Sequence, residues 1–443
     1  MKIFSVKYLI ILFFTIVLFT YCDKKIKYNA DELLSINKIS KNYCSNDSLN
    51  TYYEYIPTKY SIAKKWPVIF CFDPHGDGFS PLDSIKEIAE KFGFILIGSN
   101  TISNSTQNID QTLSVLFDDV FKKYSIDNRR VFICGFSGGA RIALSAAINL
   151  NKINGIIMCG AGITQPLPEL NKLLNVYLVV GNQDFNYREV VNSNNFFNTS
   201  YNYHIEVFNG QHRWPPEHEL HKAILWLLFN DMRKSFIEKD YDLINLFYNQ
   251  SISNLKNYEN DKQFVKAYNA AKNGFDFLKD LHNTKVFQKK MKKLIKEKAF
   301  KEEKNKISSI FYKENLLQDQ YLNSYLTKDT AWWKNELKSI ENIYNSEKDE
   351  EMRALYKRIL SFLGIAGYSL TKQYIVNHDF ITANKVILIY EIIEPDNPDC
   401  LFFKAILKYK SGNNKEAQEL FKQAKNKGFN DINLTRQMMP NFN

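Results

Sequence analysis

Residues 130–141 read RVFICGFSGGAR, which sets a serine inside the spacing Gly135-x-Ser137-x-Gly139. The apolar residues before Ser137 suit a strand, and the small residues after it suit a tight turn into a helix. Glycines are needed there because a sharp strand-to-helix turn strains the serine backbone and brings neighbouring Cβ positions into collision. A serine hydroxyl is a weak nucleophile until an adjacent base takes its proton, so the pattern has chemical meaning only with a histidine and an orienting carboxylate. Both occur downstream. The apolar run Val176 to Val180 leads through Gly181, Asn182 and Gln183 to Asp184, and the run His204 to Phe208 leads through Asn209, Gly210 and Gln211 to His212. The chemistry this trio would perform is acyl transfer through a covalent serine intermediate. Glu189 and Glu217 are less well placed as the carboxylate, and His218 and His221 sit three apart on a helix expected after Pro215 and Pro216. Arg141, one turn beyond the serine, has Asp73 or Asp119 as expected ion-pair partners, and Trp214 beside His212 reads as a packing residue that fixes the loop.

Such a trio needs a frame. Between about 51 and 230 the chain alternates short continuous apolar runs (Val68 to Phe72, Phe94 to Gly98, Val131 to Cys134, Gly155 to Cys159, Val176 to Val180, His204 to Phe208) with helix-like stretches at Ser84 to Lys91, Thr112 to Tyr124, Ala140 to Leu150 and Glu217 to Leu228. Continuous rather than alternating runs are expected of strands covered on both faces, and the β-α-β-α order implies a mostly parallel sheet. The fold class is therefore α/β for residues 51–232, followed by an all-helical region at 233–443, where strand patterns stop and charged amphipathic stretches begin.

Ser137, Asp184 and His212, each after a successive strand end, stand in the chain order of the α/β-hydrolase fold, and the segment resembles that superfamily. The resemblance implies an oxyanion hole made by the amide of Gly138 and by a second amide, from Gly76 or Asp77, in the loop Phe72-Asp73-Pro74-His75-Gly76-Asp77-Gly78. Only a short stretch separates the runs ending at Cys159 and starting at Val176, too little for a multi-helix lid. The site is thus either open to bulky or polymeric substrates or covered by the C-terminal helices. Within the superfamily the short domain resembles secreted feruloyl esterases and polyhydroxybutyrate depolymerases, which implies a carboxylic ester substrate and no metal or organic cofactor. Two other readings are a serine peptidase of prolyl-oligopeptidase type and a tethered protein-binding scaffold with a vestigial hydrolase domain.

At the N-terminus, Lys2 and Lys7 precede an apolar stretch from Tyr8 to Tyr21 that ends at Cys22. This suits an export signal and is shorter than a bilayer-spanning helix. It resembles a bacterial lipoprotein signal, which implies acylation of Cys22, a tether over residues 23–50, a membrane-anchored protein and a location outside the cytoplasm. The chain of 443 residues has 45% hydrophobic and 24% charged residues, which excludes wholesale disorder, and six cysteines without a C-x-x-C pair, which excludes a disulfide scaffold and gives no support to a zinc site. Much of the net charge of +10 gathers between Lys285 and Lys306, where Met291, Leu294, Ile295 and Ala299 keep helical spacing; this is a solvated helix face, so no nucleic-acid partner is expected. Near the C-terminus Ala383, Val386 and Ile387 recur as Ala417, Leu420 and Phe421 at an offset of 34 residues, a period resembling tetratricopeptide repeats, which implies a possible protein partner for the helices.

Overall fold

A computed structural model describes residues 36–150, 152–166, 174–197 and 202–440 of the chain. The lipoprotein-type signal with Cys22 and the first part of the expected tether lie outside the described residues.

Eight strands form one sheet: β1 (Ser40–Cys44), β2 (Asp47–Tyr55), β3 (Trp66–Phe72), β4 (Ile95–Ser99), β5 (Ile126–Phe136), β6 (Gly155–Cys159), β7 (Asn175–Gly181) and β8 (Asn202–Phe208). Their order is β1-β2-β4-β3-β5-β6-β7-β8. Strands β3 to β8 pair in parallel, while β2 runs antiparallel to both β1 and β4. From β3 the chain steps outward to β4 and then returns to β5, so the order reverses beside β5. A crevice opens outside the carboxyl ends of parallel strands at such a reversal, and Ser137 directly follows β5.

The sheet begins earlier than the sequence suggested. Residues 40–44 and 47–50, expected as tether, belong to β1 and β2. The signal is hidden because β2 buries polar side chains: Asn50 and Glu54 are almost wholly enclosed, Asn50 donating to the Thr112 carbonyl and Glu54 accepting from Lys123 at 3.0 Å and from the Tyr124 hydroxyl.

Helices α1 (Phe79–Phe92) and α5 (Glu217–Arg233) cover one face of the sheet, and α2 (Ile109–Lys123) and α3 (Gly138–Asn149) cover the other. Alternate residues of each strand feed the two cores, with Ile69, Cys71, Phe132 and Cys134 on one side and Val68, Phe70, Val131 and Ile133 on the other. A short helix α4 (Tyr187–Asn192) follows the loop that carries Asp184.

The expected division at 232/233 is a change of secondary structure but not of core. Helices α6 (Tyr241–Asn260), α7 (Phe264–Leu278) and α8 (Lys285–Leu294) put Leu255, Ala267, Phe277 and Phe287 into the same cluster as the α1/α5 face of the sheet. Beyond them α9 (Lys298–Thr327), α10 (Thr330–Ser346), α11 (Glu350–Val376), α12 (Phe380–Ile393), α13 (Pro398–Lys410), α14 (Asn414–Asn426) and α15 (Ile432–Met438) build two further cores of their own. Asp329, Asp349, Asp379, Asn413 and Asp431 cap the starts of five of these helices by accepting a backbone N–H three residues on, which sets where each begins. The offset of 34 residues puts Ala383 on α12 and Ala417 on α14, both fully buried. The lysine-rich stretch forms α8 and the start of α9, with Phe287, Leu294 and Phe300 turned inward. No described helix is long and apolar enough to cross a membrane.

Candidate active site

Ser137 sits between β5 and α3 at φ 51° and ψ −116°, a conformation unfavourable for any side chain, with its N–H bonded to the Cys159 carbonyl at 2.8 Å. The strain, about 1–3 kcal/mol for such outliers, is held by the elements on either side. Those elements cross closely. A Cβ on Gly135 would lie 2.3 Å from the Gly139 oxygen, and a Cβ on Gly139 would lie 2.1 Å from the Phe72 oxygen, so both positions require glycine.

The structure brings Ser137, His212 and Asp184 together. His212 Nε2 lies 3.0 Å from Ser137 Oγ, and its Nδ1 lies 2.9 and 2.8 Å from the two Asp184 carboxylate oxygens. Asp184 is 1% exposed and also accepts the Asn186 N–H at 2.7 Å. The imidazole packs between Phe136 and Phe185, ring centroids 4.7 and 4.2 Å away, which limits how far it can swing. With Nδ1 facing a buried carboxylate, the favoured neutral tautomer carries its proton there and leaves Nε2 as an acceptor toward the hydroxyl.

Trp214 donates its indole N–H to Asp73 at 2.7 Å and packs on Phe136, tying the histidine loop to the loop after β3. Asp73 is therefore not the partner of Arg141. Arg141 pairs instead with Glu189 at 2.9 and 3.0 Å, while Asp119, on α2, accepts from Ser45 and Tyr52. Glu189, weighed as an alternative carboxylate, is taken up by Arg141 and the Gly162 amide. His218 and His221 fall on α5 and pair with neighbouring glutamates.

Of the expected oxyanion donors, Gly138 is the first residue of α3, so its amide has no acceptor within the helix. The side chain of Asn104, which the sequence did not single out, lies against the Gly138 Cα: a Cβ there would meet its Oδ1 at 1.6 Å. Gly76 does not fit its expected role. At φ +77° its N–H donates to the Asp73 carbonyl at 3.1 Å, so a turn already uses that amide.

Helices from the C-terminal region reach the loops on both flanks of Ser137. Beyond β7, Arg358 on α11 donates to the Asn182 carbonyl at 2.7 Å, and Phe311 on α9 stacks edge-on with Tyr187. On the β3/β4 side, Ser105 donates to Asp431 at 3.1 Å. There Asp399, at the start of α13, has its pKa pushed up to about 6 by burial, against the opposing influence of His75. The helices thus flank the loops around the site, and Ser137 itself stays half-buried. Among the described residues no group of three or more histidine, cysteine or acidic side chains is arranged to hold a metal ion.

Residues 94–227 match the family model described as phospholipase/carboxylesterase, a stretch that includes Ser137, Asp184 and His212. The matched stretch lies within the sheet domain, whose strand order resembles that of the α/β-hydrolase fold, and a long helical region follows it. The chain is similar to a thermostable esterase (14% identity over 43% of this chain and 62% of that one, TM-score 0.35) and to a ferulic acid esterase (14% identity over 42% and 94%, TM-score 0.35). It is also similar to an S-formylglutathione hydrolase from Agrobacterium tumefaciens (12% identity over 40% and 88%, TM-score 0.33). No curated protein matches the sequence.

Proposed function

We propose that the protein is a serine hydrolase of carboxylic esters, with Ser137 as nucleophile, His212 as base and then acid, and Asp184 orienting the imidazole. The observation that supports this reading most is the unbroken hydrogen-bond chain from Ser137 Oγ through His212 to a buried carboxylate. His212 Nε2 takes the Ser137 proton as Oγ attacks the ester carbonyl. The tetrahedral oxygen accepts the Gly138 N–H, and one such fixed donor is worth about 3 kcal/mol in the transition state. As the intermediate collapses, the proton on Nε2 passes to the departing alkoxide and an acyl-serine remains. A water molecule, deprotonated by the same nitrogen, then releases the carboxylic acid and restores Ser137.

Ser137→Ala tests the assignment, with hydrolysis of p-nitrophenyl acetate and butyrate as the readout. A folded variant without turnover is the expected outcome, and retained turnover would reject Ser137 as nucleophile. The N-terminal sequence adds the proposal that the enzyme works outside the cytoplasm, anchored through acylated Cys22. Cys22→Ala should then move the protein from the membrane fraction to the soluble one.

A further inference from the structure

The loop that carries Asp184 is secured from outside the sheet. Arg358 on α11 is wholly buried, and its guanidinium is divided between two acceptors. Nε and Nη2 bind the equally buried Glu314 carboxylate on α9, at 3.0 Å to each oxygen and at 2.7 Å, while Nη1 donates to the Asn182 carbonyl at 2.7 Å. The Tyr187 ring lies 4.9 Å from the guanidinium carbon. Asn182 is where the two loops of the site cross. Its N–H bonds the Phe208 carbonyl at 2.8 Å, its side-chain oxygen accepts the Gly210 N–H at 3.3 Å, and the Gln183 N–H bonds the Gly210 carbonyl at 2.9 Å. Asp184 lies two residues past Asn182, and His212 two residues past Gly210.

Holding α9 against α11 does not require this pair, because apolar side chains of similar volume would do so without the desolvation cost of two charges. What an apolar pair would not provide is a donor for a main-chain carbonyl at the strand end. Glu314 fixes the plane of the guanidinium fork, and the fork then has one N–H left to aim at Asn182. A lysine ammonium could not serve both acceptors in this geometry.

We propose that Arg358, oriented by Glu314, is a positioning residue which the helical region supplies to the hydrolytic site: it fixes the loop crossing that sets Asp184 against His212. The proposal rests on the triad reading above.

Its test uses the full chain, p-nitrophenyl butyrate turnover and the rate of fluorophosphonate labelling. Arg358→Lys should lower kcat on the order of 10²-fold, the scale of a misplacement of about 1 Å, with KM changed less than about twofold. Arg358→Met combined with Glu314→Met leaves no orphan charge and should keep the wild-type melting temperature while showing the same loss of kcat. On an Asp184→Ala background the methionine pair should slow labelling no further, since the route through Asp184 is already gone. A folded methionine pair with wild-type kcat per labelled site overturns the proposal, and so does an undiminished effect on the Asp184→Ala background. If the wild-type chain shows neither turnover nor labelling, the serine-hydrolase reading fails and this proposal with it, an outcome distinct from the other two.

Discussion

The two sides of the strand-end rim are built by different means. Around Ser137 the hydrogen-bonded trio comes from positions within four residues of the ends of β5, β7 and β8, each placed by the strand that precedes it. Around Asn182 the rim is held by a side chain 176 residues further along the chain, on a helix whose main contacts are with other helices. The first arrangement is laid out by the strand ends. The second makes the geometry of the acid loop depend on a region with cores of its own. The trio is encoded beside the strands, and its loops are held in part by the helices.

Substitutions of graded effect sharpen that contrast. On the strand-end side, Asp184→Asn should leave the fold intact and lower kcat on the order of 10⁴-fold, because an amide holds the wrong tautomer of His212; steady-state ester hydrolysis measures it. Gly139→Val should cost more than about 3 kcal/mol in denaturant unfolding, since its Cβ would lie 2.1 Å from a backbone oxygen. Gly138→Ala should cost less than about 1 kcal/mol, because its new Cβ displaces only the exposed Asn104 side chain.

Where sheet and helices meet, His204 on β8 lies 3.2 Å from Asp276 on α7 and 3.2 Å from Glu206, with Lys222 and Lys272 on the same carboxylates. Burial opposes a charge on His204, but the hydrogen bonds to Asp276 and Glu206 outweigh it and raise its pKa. A raised histidine pKa adds stability that is complete below the unfolded value of about 6.5 and is lost as pH climbs through the folded value. Glu206 and Asp276, lowered by His204 and the lysines in spite of burial, add stability that is lost only in acid. The melting temperature should therefore fall as pH rises from about 6.5 through the raised folded value of His204, and His204→Gln should flatten that fall. At the small end, Ile381→Ser on α12, where the side chain is 88% exposed, should change stability by less than about 0.5 kcal/mol in the same unfolding assay.

The strands β3 to β7 were legible because each contains an apolar run buried on both faces, whereas β8, at the sheet edge, carries His204 and Glu206 and leaves Val207 exposed. The β2 strand was not legible, since Asn50 and Glu54 are buried with polar partners and look like loop residues in a hydropathy pattern. The trio Ser137, Asp184 and His212 could be assembled from strand ends alone. Gly76 could not be judged in the same way: only the turn bond to Asp73 shows that its amide is engaged. Arg358 left no local mark at all. It sits within a long helix beside residues of ordinary type, and its meaning depends on a carbonyl that no spacing rule connects to it. The shared core across residue 233 was hidden for a similar reason, because a change from strand to helix pattern looks like a boundary even where the packing continues.

Mass-spectrometric mapping of a fluorophosphonate adduct on the folded chain tests the central claim most directly. The account predicts a single phosphonylated residue at Ser137, with labelling abolished in His212→Ala. A folded, unlabelled Ser137, or an adduct formed equally well without His212, would contradict it.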